Sequence, residues 1–242
     1  MVLRDTRLSG PADPFPADRA RSGPLRDLTD PDQPAAPRVL SLDHLAAYVL
    51  EARPRLGPVR LVCVDGPACS GKTTLAARLA TALEGCPIVH MDDLYEGWDG
   101  LPTVGDRLEE WILAPIRAGR PGRYRRYDWT RGAYAEWHEV PLHRALVIEG
   151  VGSAARLVDG HATLRIWMEA PEQVRLERAR VRDAGGFDPY WRSWADAERR
   201  HFTLERTRDR ADVVLDGAPE VPYDVERAVV ATSVRLPGLL AA

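Results

Sequence analysis

The segment from Gly66 to Thr73 reads Gly-Pro-Ala-Cys-Ser-Gly-Lys-Thr and has the spacing G-x-x-x-x-G-K-[ST] of a phosphate-binding loop. Residues 59–65 before it form an apolar run that is typical of a buried strand. The alanine- and leucine-rich residues 72–83 after it are typical of a helix. Strand, loop and helix in this order are the context in which such a loop holds phosphate groups, so the sequence predicts that the chain binds a nucleoside triphosphate.

Lys72 is the single lysine among the 33 basic residues, and it stands at the lysine position of the loop. Arginine offers a planar fork, whereas lysine offers a compact charge on a flexible stem that can follow a phosphoryl group. We therefore interpret the motif as functional, with backbone N–H groups and a helix N-terminus facing the phosphates. The residues predicted to bind the nucleotide are Gly66, Pro67, Ala68, Cys69, Ser70, Gly71, Lys72, Thr73 and Thr74.

The bulk composition favours a protein of the reducing cytoplasm. The 242 residues suffice for one α/β domain with a sizeable core, or for two small ones at most. A net charge of −3 and interleaved charges argue against nucleic acid as a partner. No run reaches the roughly 18 apolar residues of a membrane span. The N-terminus shows no secretory signal pattern, and the 3 cysteines match no zinc spacing.

The composition changes near residue 37. Residues 1–37 carry 7 prolines among aspartate, arginine and serine, with little apolar periodicity. Such a segment buries too little apolar surface to offset its ordering entropy, so we expect a flexible arm. Residues 38–242 are predicted to form one domain, with an arginine-rich helical lid at about residues 171–206.

Four further segments are predicted to be strands, at residues 87–91, 145–149, 164–169 and 212–216, with helical segments between most of them. Strands that alternate with helices indicate a parallel sheet covered on both faces. The predicted fold class is therefore α/β, a three-layer sandwich with a five-stranded parallel sheet. Ligands of such sheets bind at the carboxyl ends of the strands.

Acidic residues follow two of these strands. Asp92 and Asp93 could accept a proton from a hydroxyl or hold magnesium, although turn and helix-capping roles are the alternative. Glu149 ends an apolar run, so we expect it to be partly buried and to need a partner. A hydrated magnesium ion or a ribose hydroxyl would serve, and the hydroxyl of Thr73 is a second expected magnesium ligand.

The predicted lid begins at Pro171, which is favourable at the start of a helix. Arg175, Arg178 and Arg182 then fall on one face of the helix. Three guanidinium groups in a row are expected to share an anion such as a triphosphate, and the alternative is a solvated face paired with neighbouring acids. The glycines at 185–186 could act as a hinge.

The order of these motifs resembles that of the uridine–cytidine kinases and nicotinamide riboside kinases. Residues 92–95 resemble the turn that carries the family's catalytic base, and residues 149–150 resemble its carboxylate near magnesium. Residues 175–183 look like its lid helix, and residues 127–129 resemble a segment near the nucleobase. Residues 91–98 are also similar to a stretch of actinobacterial uridine-kinase-like ATP-binding proteins.

The resemblance implies a P-loop kinase that uses ATP, with GTP as an alternative donor, together with Mg²⁺. It implies transfer of the γ-phosphoryl group to a small molecule, with the 5′-hydroxyl of a uridine- or cytidine-like nucleoside favoured. The residues expected to be catalytic are Lys72, Asp92, Arg178 and Arg182, and those expected to hold the metal are Thr73 and Glu149. The residues expected to contact the acceptor are Asp93, Tyr95, Asp99, Tyr127 and Arg175.

Three alternatives remain open at this point. A nucleoside monophosphate kinase would need extra cations near the acceptor, which Arg123, Arg125 and Arg126 could supply. A kinase of a non-nucleoside alcohol and a nucleotide-dependent regulatory ATPase are the other two. The segment with Trp191, Trp194, Glu198, His201 and Phe202 has no counterpart in the resemblance, and aromatic residues at helical spacing usually indicate core.

Overall fold

The computed structural model describes residues 37–239, and the arm predicted over residues 1–37 lies outside this range except for Pro37. Within residues 37–239, every helix is too short or too polar to span a lipid bilayer. The strands are β1 (Arg38–Ser41), β2 (Arg60–Asp65), β3 (Ile88–His90), β4 (Gly122–Asp128), β5 (Ala133–Val140), β6 (Ala145–Glu149), β7 (Ala162–Glu169), β8 (Val213–Asp216) and β9 (Ala228–Val234). The α-helices are α1 (Leu42–Glu51), α2 (Lys72–Ala82), α3 (Val104–Leu108), α4 (Ala114–Arg117), α5 (Glu172–Asp183), α6 (Asp188–Glu205) and α7 (Thr207–Arg210).

Five parallel strands form the centre of the sheet, in the order β3-β6-β2-β7-β8. They correspond to the five predicted strands, so the α/β fold class is confirmed. The predicted strand number was too low, because the sheet has seven strands: β9 pairs antiparallel with β8, and β1 pairs antiparallel with β9. Antiparallel neighbours need no crossover helix, so the alternation of helices and strands gave no signal for these two.

Helices cover both faces of the sheet. Within β2, Val62 and Val64 face one side and pack with α1 and α2, whereas Leu61 and Cys63 belong to the apolar cluster of the opposite face. Side chains of a strand alternate between faces, so a continuous apolar run is what a strand buried on both sides requires. This is the predicted three-layer arrangement.

A β-hairpin of β4 and β5 stands apart from the main sheet. The sequence over residues 107–118 predicts a single helix, followed by a basic, glycine-containing stretch at residues 119–126. The structure has α3, a π-helical turn (Glu109–Leu113) and α4, and then the hairpin. Tyr134 Oη donates to the carbonyl oxygen of Leu94 at 3.0 Å, which ties the hairpin to the segment after β3. Trp129 in the hairpin turn donates its indole N–H to the carbonyl oxygen of Asp92 at 3.0 Å, so the turn also contacts that segment.

The predicted lid at about residues 171–206 corresponds to α5 and α6. The two helices are joined by a short turn in which Ala184 has φ +48° and Gly185 has φ +81°. Left-handed conformations of this kind end helices, and glycine adopts them without strain. The turn directs α6 back across the phosphate-binding loop.

Candidate active site

The loop between β2 and α2 has the backbone that its glycines permit. Gly66 has φ +140° and Gly71 has φ +108°, both in the region that favours glycine. A Cβ atom on Gly66 would lie 2.0 Å from the carbonyl oxygen of Met168 in β7, so no side chain fits there. The helix α2 begins at Lys72, and its N-terminus therefore faces the loop.

A cavity of about 820 Å³ opens beside this loop at the carboxyl ends of the strands. Lys72 is 7% exposed, and its Nζ donates to the carbonyl oxygen of Pro67 at 2.9 Å. The predicted nucleotide-binding residues that line the cavity are Ala68, Cys69, Gly71, Lys72, Thr73 and Thr74. Gly66, Pro67 and Ser70 belong to the same loop but do not line the cavity.

Asp65, the last residue of β2, is hydrogen-bonded through its carboxylate to the start of the phosphate loop. Its carboxylate is fully buried and accepts hydrogen bonds from the backbone N–H groups of Gly66 (2.7 Å), Gly152 (3.0 Å) and Ala154 (2.9 Å). Burial raises the pKa of Asp65 to about 6, although the three amide hydrogen bonds oppose that rise. Sequence reasoning treated Asp65 only as the end of a strand. The available signal was a carboxylate closing an apolar run, which must find partners when buried.

Replacement of Asp65 by alanine is expected to destabilise the fold. Three buried N–H groups would lose their acceptor, and each unsatisfied group costs about 1–3 kcal/mol, so we expect a total loss of about 3 kcal/mol or more in the free energy of unfolding. Urea unfolding followed by circular dichroism measures it. Asp128→Ala is the matched control, because Asp128 accepts two backbone N–H groups in an exposed turn and should matter much less. Equal losses in the two variants would contradict this role of Asp65.

The two predicted metal ligands lie together. Thr73 Oγ1 donates to Glu149 Oε1 at 3.0 Å, and Glu149 is 5% exposed at the end of β6. His90 Nδ1 lies 2.6 Å from the same carboxylate oxygen, and this hydrogen bond raises the pKa of His90. A hydroxyl and a carboxylate are hard oxygen ligands, and Mg²⁺ is commonly bound by one or two carboxylates together with phosphates and water. The donor set therefore fits Mg²⁺.

His90 was not singled out from the sequence. It ends β3, directly before the acidic pair, and it lines the cavity. Its position next to Glu149 follows from the pairing of β3 with β6, in which His90 lies opposite Glu149. A register of this kind is a tertiary property that the local pattern does not contain.

Asp92 and Asp93 lie in a 3-10 turn after β3 and both line the cavity. The side chain of Asp92 is open to the cavity, but the surrounding walls desolvate it, and this effect together with the charge of Glu149 raises the pKa of Asp92. Asp93 Oδ2 instead accepts a hydrogen bond from Tyr124 Oη at 3.0 Å. The hairpin therefore hydrogen-bonds to the carboxylate of Asp93 through a side chain, whereas it makes no such bond to the carboxylate of Asp92.

Arginines of α5, the first helix of the predicted lid, contact the phosphate loop. Arg175 Nη1 donates to the carbonyl oxygen of Ala68 at 3.2 Å, and Arg178 Nη2 donates to that of Gly217 at 2.8 Å. Arg178 also reaches the carbonyl oxygens of Cys69 and Ser70 at 3.4 Å. These contacts differ from the alternative in which the arginines pair with acids on their own helix face.

Of Arg175, Arg178 and Arg182, it is Arg182 that pairs with a carboxylate, that of its neighbour Asp183 at 2.7 Å. Arg178 and Arg182 line the cavity, whereas Arg175 does not. The guanidinium groups of Arg178 and Arg182 therefore face the same cavity as Lys72.

Aromatic side chains surround the other end of the cavity. Trp98 stacks on Phe187 (ring centroids 5.0 Å apart) and on Tyr190 (4.4 Å) at the start of α6, and it contacts Trp129 of the hairpin turn at 4.8 Å. The aromatic residues that line the cavity are Tyr95, Trp98, Trp129, Phe187 and Trp194. Trp194 is 5% exposed and thus belongs to the core, as its helical spacing indicated, and to the cavity wall at once.

Three residues expected to contact the acceptor do not line the cavity, namely Asp99, Tyr127 and Arg175. Asp99 is exposed in a 3-10 turn, and Tyr127 is buried beneath Trp129, with ring centroids 5.4 Å apart. Their proposed contact with the acceptor finds no support in this geometry. Asp93 and Tyr95 do line it, although Tyr95 Oη is already engaged with the carbonyl oxygen of Val151 at 2.6 Å.

The central parallel sheet and the phosphate loop give this chain the fold of the P-loop kinases. The solved structure of a possible uridine kinase from Bacillus stearothermophilus is similar at a TM-score of 0.52 and 22% identity, and the match covers 72% of this chain and 96% of that one. A D-glycerate 3-kinase from Cryptococcus neoformans var. grubii is similar at a TM-score of 0.50 and 14% identity, covering 75% and 97%. The resemblance to P-loop kinases is thereby confirmed at the level of the fold.

One curated relative is a cytidylate kinase from Natronomonas pharaonis. It is 29% identical over 124 residues, which are 51% of this chain and 58% of that protein. The chain thus matches less than two thirds of the length of this relative. No protein-family model matches the chain.

Proposed function

We propose that this chain transfers the γ-phosphoryl group of ATP to a hydroxyl group of a small molecule, and we favour the 5′-hydroxyl of a nucleoside as the acceptor. GTP is the alternative donor. The observation that carries the proposal is that one cavity has the phosphate loop and Lys72 on its wall together with Asp92, a carboxylate open to the cavity. A phosphoryl donor and a proton acceptor that share one cavity are what transfer to an alcohol requires.

The donor side consists of the loop and the lid. The amides at the start of α2 and the ammonium group of Lys72 would bind the phosphates, and Arg178 and Arg182 would neutralise charge that develops on the transferred group. Bound Mg²⁺ would supply further neutralisation of the β- and γ-phosphates. Thr73 and Glu149 are the residues that would hold it, as their contact of 3.0 Å suggests.

The acceptor side supplies the base. Asp92 would accept the proton of the attacking hydroxyl as its oxygen forms a bond to the γ-phosphorus and the bond to the β-phosphate oxygen breaks. The nucleoside diphosphate leaves with the electron pair of that broken bond. A raised pKa makes the Asp92 carboxylate a stronger base than an exposed aspartate, which assists this step.

The distribution of charge favours an acceptor without a phosphate of its own. Arg125 donates to the carbonyl oxygens of Tyr134 and Ala135, and Arg126 is paired with Glu136. Neither they nor Arg123 line the cavity. In the part of the chain that the structure describes, the basic side chains that line it are Lys72, His90, Arg178 and Arg182.

A nucleoside monophosphate kinase is the second candidate, and the similarity to a cytidylate kinase is the observation that favours it. An acceptor phosphate would normally be held by its own arginine or lysine side chains. The aromatic wall around Trp98 and Trp129 suits a planar ring, which both candidates share.

An acceptor comparison distinguishes the candidates. The chain is incubated with Mg²⁺ and ATP or GTP and with nucleosides, nucleoside monophosphates or amino-sugar alcohols, and phosphorylated products are measured by mass spectrometry. We expect a product from a nucleoside and a kcat/KM at least about 10-fold lower for its monophosphate, because the arginine and lysine side chains that line the cavity within residues 37–239 are those assigned to the donor phosphates. Preference for the monophosphate would establish the second candidate. Hydrolysis of ATP that no acceptor accelerates would instead indicate a regulatory ATPase.

A further inference from the structure

We propose that Glu198 is a positioning residue that holds the phosphate loop and couples it to the aromatic wall of the cavity. The inference rests on the proposed binding of a nucleotide at the loop. Glu198 lies in the middle of α6 and is 3% exposed. It does not line the cavity, so it is not expected to contact a ligand itself.

One carboxylate oxygen of Glu198 makes two hydrogen bonds in different parts of the site. Oε1 accepts from the backbone N–H of Ala68 at 2.6 Å, and from the indole N–H of Trp194 at 2.8 Å. Ala68 belongs to the phosphate loop and lies 130 residues away in the sequence. A change in the direction of the Ala68 amide therefore acts on the same atom that holds the Trp194 ring.

Trp194 extends this link to the aromatic end of the cavity. Its ring meets Tyr95 edge to face, with centroids 5.1 Å apart, and Trp98 at 5.9 Å. Both neighbours line the cavity, as Trp194 does. The path from the phosphate loop to the aromatic wall thus runs through Glu198 and a single indole ring.

A carboxylate at this buried position requires a reason, because burying a charge is costly unless it is hydrogen-bonded and paired. Burial raises the pKa of Glu198, and the charges of Lys72 and Arg175 oppose that rise. Arg175 donates to the carbonyl oxygen of Ala68, so α5 and α6 together hold both the C=O and the N–H of this loop residue. Glu198 is placed to fix the loop in the conformation that receives phosphates.

The first test measures nucleotide affinity. Calorimetry with ADP and Mg²⁺ is expected to give a Kd for Glu198→Ala about 10-fold or more above that of the unchanged chain, since the Ala68 N–H loses the charged acceptor that fixes its direction. Glu198→Gln retains an acceptor oxygen and should lose less. Glu205→Ala is the matched control: Glu205 lies on the same helix and accepts the backbone N–H of Arg156 at 2.7 Å, outside the cavity lining.

The second test follows Trp194, because a merely structural role would not affect its response to nucleotide. Addition of ADP and Mg²⁺ should change the tryptophan fluorescence of the unchanged chain by an amount that Trp194→Phe reduces. In Glu198→Ala the Trp194-dependent part of the change should disappear. A thermal melt of each variant shows whether it is folded, and Glu198→Gln carries the test if the alanine variant is not.

The outcomes separate the two proposals. No heat from the unchanged chain with ATP, GTP or ADP and Mg²⁺ would remove nucleotide binding and, with it, the proposed function. Normal binding by the unchanged chain, combined with a Kd within twofold and an unaltered Trp194 response in the folded variants, would overturn the role of Glu198 alone.

Discussion

Lys72→Arg is expected to lower kcat/KM for phosphoryl transfer by at least about 10²-fold, which is the loss seen when one group that stabilises transition-state charge is removed. Lys72 is 7% exposed, and its Nζ reaches back to the carbonyl oxygen of Pro67, so the wider guanidinium group has little room to follow the phosphoryl group. Lys72→Ala should be as damaging or more so. Initial rates of product formation measure the effect of both substitutions, with the acceptor that gives a product in the assay of nucleosides, nucleoside monophosphates and amino-sugar alcohols.

A second arginine–lysine exchange serves as the control for this result. Arg120 is exposed and lies outside the cavity lining, so Arg120→Lys should leave the rate and the nucleotide affinity unchanged. Near-native turnover of Lys72→Arg would show that the loop needs only a positive charge and would contradict the argument for its lone lysine.

Asp92→Asn is expected to reduce kcat by roughly 10²–10⁴-fold, the range by which general base catalysis accelerates proton transfer. The amide has nearly the same shape as the carboxylate but cannot accept the proton of the attacking hydroxyl. Nucleotide affinity should remain close to that of the unchanged chain, because the loop and Lys72 would be intact. Single-turnover kinetics for transfer and calorimetry for nucleotide binding measure the two quantities separately.

The same exchange at Asp99 is the matched control. Asp99 is exposed and does not line the cavity, so Asp99→Asn should retain near-native rates. If Asp92→Asn weakens binding of the nucleotide with Mg²⁺ while the transfer rate stays the same, Asp92 is a magnesium ligand rather than the base.

The parallel core of the fold was predictable because its signals are local. Buried strands in parallel sheets are continuous apolar runs, and Ala145–Glu149 was predicted with the bounds that the structure has. The strand β9 was missed, although it is rich in valine and alanine, because it follows β8 without a helix between them. The hairpin was missed because its strands β4 and β5 carry many charged and aromatic residues rather than a clean apolar alternation.

Part of the candidate site was predictable for a similar reason. The phosphate loop is contiguous in the chain, and residues that follow parallel strands meet at one edge of the sheet, so Lys72, Asp92 and Glu149 were expected together. The cavity lining includes all three. Asp99 and Tyr127 were placed by resemblance alone, and their side chains lie outside the lining.

The sequence by itself determined the phosphate loop, the strand–helix alternation and the arginine face of α5, because each depends on residues that are neighbours along the chain. Only the tertiary structure decided that His90 lies against Glu149, that Asp65 holds three amides, and that Glu198 joins Ala68 to Trp194. Apart from the local pairs Asp65–Gly66 and Glu198–Trp194, these contacts join segments distant in sequence, so they depend on strand register and on the path of α6 across the loop. Neither property is encoded in any single stretch of residues.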